Sequence, residues 1–461
     1  MLPYGIRREK DKMKRLLPFV FLLLVSTGCY HGMQGSGLTT YAHGILYEKT
    51  DNREQAIEAY KKTLQQEGES SYLYVKLGNV YLKNKQSKEA KRCFFRALKL
   101  NPKNAESLFG LGVAYLLEDN HKLAARYIEQ GLSIEPDRHY ARMMLCDILV
   151  ALEMLEKASQ QYEILIKEYP NNYLLMFNYG NLLERRNLYE QAEKAYLSSI
   201  QLAEGFWKAT VALALLYYKQ GKEAEAMEYF RKSIKLNPKD SISYSFLIFA
   251  HYQAKEIEAT KSLLEEAMSN GIQNTEFYNL MGIIYSEEKD YLKASEFFKK
   301  SIDLKDTSTA RFYLGVVYDK MEMPDKMEEE MKKAIAIEPD NAMALNYLGY
   351  SYLLKNKNLQ EAYEMIKKAC AIEPDNSAFL DSLGWAYYKR GNYKKAKKYL
   401  EKAAAKEKDE ELYEHLGYLY LEMKEYIKSI SWFIKAYEIN KNARFLEKIE
   451  EINKLIKHGI N

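Results

Sequence analysis

The chain of 461 residues is poor in the residues that interrupt or staple a fold, with 9 prolines, 22 glycines, 4 cysteines and 3 tryptophans. No stretch rich in Gly and Ser marks a linker, and composition stays uniform from about residue 37 to the end. That uniformity argues for repetition and against two or three unrelated domains. Cys93, Cys146 and Cys370 show no CxxC spacing and are odd in number. They make neither a disulfide framework nor a zinc site, and read as small buried hydrophobes. Catalytic spacings are missing as well: there is no HExxH, no GxSxG, no GxxxxGK and no GxGxxG after a strand. The 7 histidines are scattered, with no pair at ligand spacing. The expectation is a chain with no catalytic residues, no metal, no cofactor and no small-molecule substrate, and hence not an enzyme.

An excess of one charge is lacking where it would matter. Residues 1–28 hold six basic residues (Arg7, Arg8, Lys10, Lys12, Lys14, Arg15) and two acidic ones (Glu9, Asp11), and taking these from totals of 68 and 64 leaves 62 of each. The body is neutral. A nucleic-acid partner would demand a basic face, so none is expected.

The N-terminus does carry an address. The basic stretch precedes an apolar run, Leu16–Val25, and then Ser26, Thr27, Gly28 and Cys29, the order of a secretory signal. The run is too short to span a bilayer, which takes about 20 apolar residues in a helix. Met13, followed by Lys14 and Arg15, makes a more typical signal start than Met1. The segment from Val25 to Cys29 resembles a bacterial lipobox, with Ser26 where Leu or Val is usual and Val25 one position early. The resemblance implies a signal peptide over 1–28, a lipid on Cys29 and a short tether over 29–36; the other reading is plain secretion with Cys29 unmodified. Tyr30 stands where inner-membrane lipoproteins of well-studied bacteria carry Asp, which points to the periplasmic face of the outer membrane.

The body repeats itself about every 34 residues. Leu77, Gly78 and Tyr81 are followed by Ala90, Phe94, Ala97 and Pro102, and the pattern returns through Gly112, Gly180, Gly282, Gly349 and Gly384 to Gly417 with Tyr420, Phe433 and Ala436. Within a copy the apolar residues recur at helical spacing, so each copy is two amphipathic helices. Small residues such as Gly78 and Ala90 let the pair approach closely, Phe94 and Tyr81 fill the seam to the next copy, and Pro102, Pro339 or Pro374 ends the second helix. Asn104, Asn341 and Asn376 fall where the next helix wants a cap.

This pattern resembles the tetratricopeptide (TPR) motif. The resemblance implies an all-α, right-handed superhelical solenoid of about twelve repeats over 37–443, closed by a capping helix over 444–461 that carries Phe445, Ile449, Ile452 and Ile456. Four copies depart from the pattern. Cys146 takes the glycine slot in the fourth, the seventh is degenerate around Ile248 to Thr260, the ninth has Met327 and Met331 for Ala and Phe, and the tenth has one extra residue near Lys357. Local loosening or changed curvature is expected there.

In such solenoids the first helices line the concave face. The positions three before, one after and four after the glycine form an apolar strip that includes Val75, Phe109, Val113, Phe177, Val211, Tyr218 and Phe312. It turns aromatic near the C-terminus, where Tyr350, Trp385, Tyr388 and Tyr418 have Asn346, Asp381 and Glu414 beside them. A patch of this kind suits a peptide segment of a protein partner. The clamp by which some TPR domains hold acidic C-terminal tails is incomplete, because Val75 and Phe177 stand where Lys should precede Asn79 and Asn181. The segments NYLGYSY and LDSLGWAYYKRGNY are similar to those of bacterial envelope TPR lipoproteins. That similarity implies a non-catalytic scaffold tethered through Cys29 that binds proteins along its groove; the alternative is a TPR subunit of a polysaccharide synthesis or export, secretion or pilus assembly system.

Overall fold

The apolar spacing folds as it reads. A computed structural model of the chain describes residues 36–458, and among the described residues there are 25 helices and no strand. The signal segment and Cys29 lie outside the described residues. The chain divides into two compact units at Phe246 and Leu247. In the first, successive helices pair as hairpins from α1 (Ser36–Lys49) to α12 (Glu223–Leu236). In the second, they pair from α15 (Thr275–Glu287) to α24 (Tyr426–Asn440), and α25 (Ala443–His458) packs on α24. The division falls inside α13 (Ser241–Gln253), in the degenerate seventh copy.

One contact recurs along both units. A methyl group placed on Gly78 would lie 2.7 Å from the ring of Phe94, on Gly180 2.6 Å from Tyr196, on Gly282 2.8 Å from Phe298 and on Gly417 2.7 Å from Phe433. In each pair the partner sits sixteen residues after the glycine, on the second helix of the same hairpin. The glycine is needed because a large, fully buried side chain occupies the space a Cβ would take. In the ninth copy Met331 fills this place and Met327 the small slot, both buried, so a flexible thioether replaces the ring without opening a gap. In the fourth copy Cys146 is fully buried, and α7 (His139–Ala151) and α8 (Leu155–Glu168) approach each other less closely than their neighbours do.

The turn inside each hairpin is equally regular. After α3 (Ser71–Lys83), Lys85 adopts φ 57° and Gln86 N–H donates to Tyr81 O at 2.9 Å, a Schellman-type ending that satisfies a carbonyl the helix leaves open. Asp119, Glu153, Lys289 and Lys424 repeat the left-handed conformation. The extra residue of the tenth copy changes less than expected. Asn356 and Asn358 both turn left-handed around Lys357, and Gly349 faces Ile366, seventeen residues on. The turn absorbs the insertion, and the packing of the hairpin is kept.

The asparagines act as caps. Asn104, Asn341 and Asn376 accept from the N–H groups of Ser107, Ala344 and Ala378. Cys93, Cys146 and Cys370 are buried free thiols, and burial pushes Cys93 and Cys146 up to about 12. On the capping helix Phe445 and Ile452 are buried, with the Phe445 ring centroid 6.3 Å from that of Phe433.

Candidate functional site

Three consecutive first helices of the second unit carry the site: α19 (Ala342–Leu354), α21 (Ser377–Lys389) and α23 (Glu410–Glu422). Helical spacing puts Asn346 and Tyr350 one turn apart on α19, Asp381, Trp385 and Tyr388 along α21, and Glu411, His415 and Tyr418 along α23. Their side chains meet at His415. Its Nδ1–H donates to Asp381 Oδ1 at 2.8 Å, and its Nε2 lies 3.3 Å from the Tyr350 hydroxyl, which donates to Glu411. The indole of Trp385 stacks on the imidazole at 4.0 Å and 16°, and on Tyr388 at 4.4 Å and 5°. Tyr418 stands farther off, 6.4 Å from Trp385, with its ring edge-on to Phe433.

The strip is less open than a reading of the sequence suggests. Trp385 is only 8% exposed, and Val75, Val211 and Phe312 are buried too. Trp385 is therefore a wall of the site and not a free anchor. Its Nε1 is buried without a hydrogen-bond partner, as is Asn346 Oδ1. The residues missed by the sequence reading are His415 and Glu411. Glu411 lies one turn before the strip positions on α23, so carrying the three- and four-residue spacing one step further would have found it.

Carboxylates dominate the electrostatics. Burial first, then Glu411, Asp381 and Glu414, push the Tyr350 hydroxyl far above its ordinary range. Burial also raises Glu414, against the opposing pull of Arg444. Tyr388 is pushed up to about 12, mainly by burial. Among the described residues no group of acidic, His or Cys side chains is placed to hold a metal ion, and no helix is long and apolar enough to cross a membrane.

In the first unit, Phe109 and Val113 of the strip line a cleft of about 350 Å³ together with Leu82, Tyr140 and Met144. The two asparagines of the incomplete clamp are engaged elsewhere: Asn79 donates to Glu106 at 3.3 Å, and Asn181 accepts from Tyr196 at 2.8 Å.

Sequence models described as tetratricopeptide repeat match residues 71–104, 105–138, 143–205, 208–240, 275–307, 309–341, 353–417 and 410–442. A TPR repeat-containing protein of Methanocaldococcus jannaschii is 24% identical over 361 residues, covering 70% of this chain and 61% of that protein. The Homo sapiens Protein O-mannosyl-transferase TMTC3 is 23% identical over 275 residues, 58% of this chain and 30% of that protein. The chain thus spans less than two thirds of the length of either relative. Among solved structures, the APC/C hetero-tetramer Cut9–Hcn1 aligns over 91% of this chain and 96% of its own at 13% identity, with a TM-score of 0.45. YrrB, a TPR protein with an unusual peptide-binding site, aligns over 41% and 97% at 21% identity, with a TM-score of 0.38. With repeat matches over more than half its length and paired helices built around a glycine and a buried ring, the chain belongs to the tetratricopeptide-repeat family.

Proposed function

We propose that this TPR protein is a non-catalytic scaffold of the bacterial cell envelope, tethered by a lipid on Cys29 at the periplasmic face of the outer membrane, that holds a segment of a protein partner. The observation that carries the binding part is the convergence of Asn346, Tyr350, Asp381 and Glu411 from three successive first helices onto one cleft, with Trp385 stacked behind it on His415. Stacking side chains beside unpaired polar atoms bind segments that bring both apolar and polar groups. Asp381, His415 and Tyr350 have the outline of a proton relay, but its last hydroxyl is a buried tyrosine held far from ionisation by neighbouring carboxylates, the reverse of an activated nucleophile. This favours holding over chemistry. The transferase activity named for the human relative is not carried over, since the chain covers 30% of that protein.

The test is a pull-down from envelope extract with the native chain beside Tyr350→Ala. One partner captured by the first and lost by the second, with far-UV circular dichroism unchanged, supports the scaffold; equal capture by both rules out this groove. The anchor is checked by palmitate labelling, which Cys29→Ser should abolish.

A further inference from the structure

Asn346, Tyr350, Asp381 and Glu411 line a cleft of about 230 Å³ that also takes in Glu407 and Asp409, from the segment before α23. Drug-sized ligands ask for about 300 Å³ or more, so this one suits a single long side chain. Four carboxylates line it, and no lysine or arginine does. Each carboxylate accepts from a neighbour within the fold: Asp381 from His415, Glu407 from Ser377, Asp409 from Leu412 N–H and Glu411 from Tyr350. Among the described residues none of the four is paired with a lysine or arginine.

The surrounding surface is treated differently. Arg444 bridges Glu410 and Glu414, and Lys402 and Lys406 both reach Asp375. Cations are thus supplied to the carboxylates next to the cleft and withheld from those inside it. An anion is the wrong occupant, because the helix N-termini that could attract one are already capped by Asn376 and Asp409. A metal ion is the wrong occupant as well, since among the described residues no three acidic, His or Cys side chains are placed together to hold one. A second observation points to a donor-rich guest. Asn346 lines the same cleft, and its Oδ1 is buried without a hydrogen-bond partner. Tyr350 adds an aromatic ring.

We propose that this cleft receives the guanidinium of an arginine on the partner segment, with Asp381, Glu407, Asp409 and Glu411 around it and Asn346 Oδ1 as a further acceptor. Arginine fits where lysine does not. Its planar fork offers five donors to an array of separated acceptors, and it stacks on a ring such as that of Tyr350. The proposal rests on the scaffold reading and names the chemistry of the partner.

The experiment is fluorescence anisotropy of the full chain with a labelled, C-terminally amidated peptide, Gly-Ala-Leu-Arg-Leu-Ala-Gly. The same peptide with citrulline keeps the shape of arginine and loses its charge. The arginine peptide should bind at least about tenfold tighter than the citrulline peptide, as a charge-assisted contact implies. Glu407→Gln with Glu411→Gln, both at exposed positions, should bring that ratio below about threefold without loss of helicity. The proposal is overturned by a ratio under about threefold in the native chain, by no binding of either peptide, or by a preference that survives the double substitution. Failure here is separable from failure of the scaffold. If the double variant still captures the envelope partner and Tyr350→Ala does not, the arginine site falls and the scaffold stands.

Discussion

Phe94 offers a direct test of how the repeats are held together. Its ring is fully buried between two glycines on the first helices of successive hairpins, Gly78 on α3 and Gly110 on α5 (Ala105–Leu116). A methyl group at Gly110 would meet ring atoms at 2.3, 2.6 and 2.7 Å, against the roughly 3.5–4.0 Å of a relaxed carbon contact. The ring cannot retreat, because the Gly78 side already leaves only 2.7 Å for a Cβ. In a helix, Gly→Ala alone gains about 1 kcal/mol. Overpacking costs about 1–3 kcal/mol, and a ring pinned on both faces lies at the upper end. Gly110→Ala should therefore destabilise the native chain by about 1–2 kcal/mol. In a Phe94→Leu background the smaller side chain leaves room, and the same substitution should stabilise by up to about 1 kcal/mol. Urea unfolding followed by circular dichroism gives the sign. Since a solenoid opens in parts, amide exchange over residues 87–116 localises the change. A higher urea midpoint for Gly110→Ala alone, or the same loss in both backgrounds, refutes the wedge.

Two further outcomes follow from the second unit. Asn341 accepts from Ala344 N–H at 2.9 Å and donates to Ser308 Oγ at 2.8 Å, and that hydroxyl donates to Ala334 O at 2.9 Å, so one amide ties three helices together. Asn341→Ala should cost about 1–2 kcal/mol in urea unfolding, and Asn341→Asp, which keeps the cap and loses the donor, about half of that. Burial alone would raise the Glu328 carboxyl, but hydrogen bonds from Lys332, Lys357 and Tyr352 outweigh it and hold the group at about 2. A depressed folded value stabilises above the ordinary carboxylate range, and the contribution is lost as pH falls. The gap in urea midpoint between the native chain and Glu328→Gln should thus be full above about 4.5 and shrink as the pH falls toward 2; a gap that does not change with pH refutes the assignment.

The hairpins were legible because their rules are local. A glycine, a small residue and a ring sixteen positions after the glycine specify a pair of helices within one stretch of chain, and Pro102 or Asn341 punctuates it. The site was legible only in outline. Tyr350, Asp381 and Asn346 do line one cleft, but Trp385 reads as an open aromatic and is buried, because Tyr388 from the next turn of α21 and His415 from α23 both stack on its indole. His415 looked like one scattered histidine among 7, since its partners Asp381 and Tyr350 lie 34 and 65 residues earlier. No spacing rule within a repeat spans that distance. The insertion near Lys357 was visible as a departure, yet its accommodation depends on a second left-handed residue, Asn358, which only the backbone reveals.

The ring seated between Gly78 and Gly110 belongs to two hairpins at once. The copies of Gly78, Gly180, Gly282 and Gly417 each carry a key on the second helix and a socket on the first, so a duplicate of such a segment arrives with its own joint already matched. An array of this kind can lengthen by gene duplication without inventing a new interface. Drift is constrained in the same way: where Met331 stands in place of the ring, it fills the space beside Gly315.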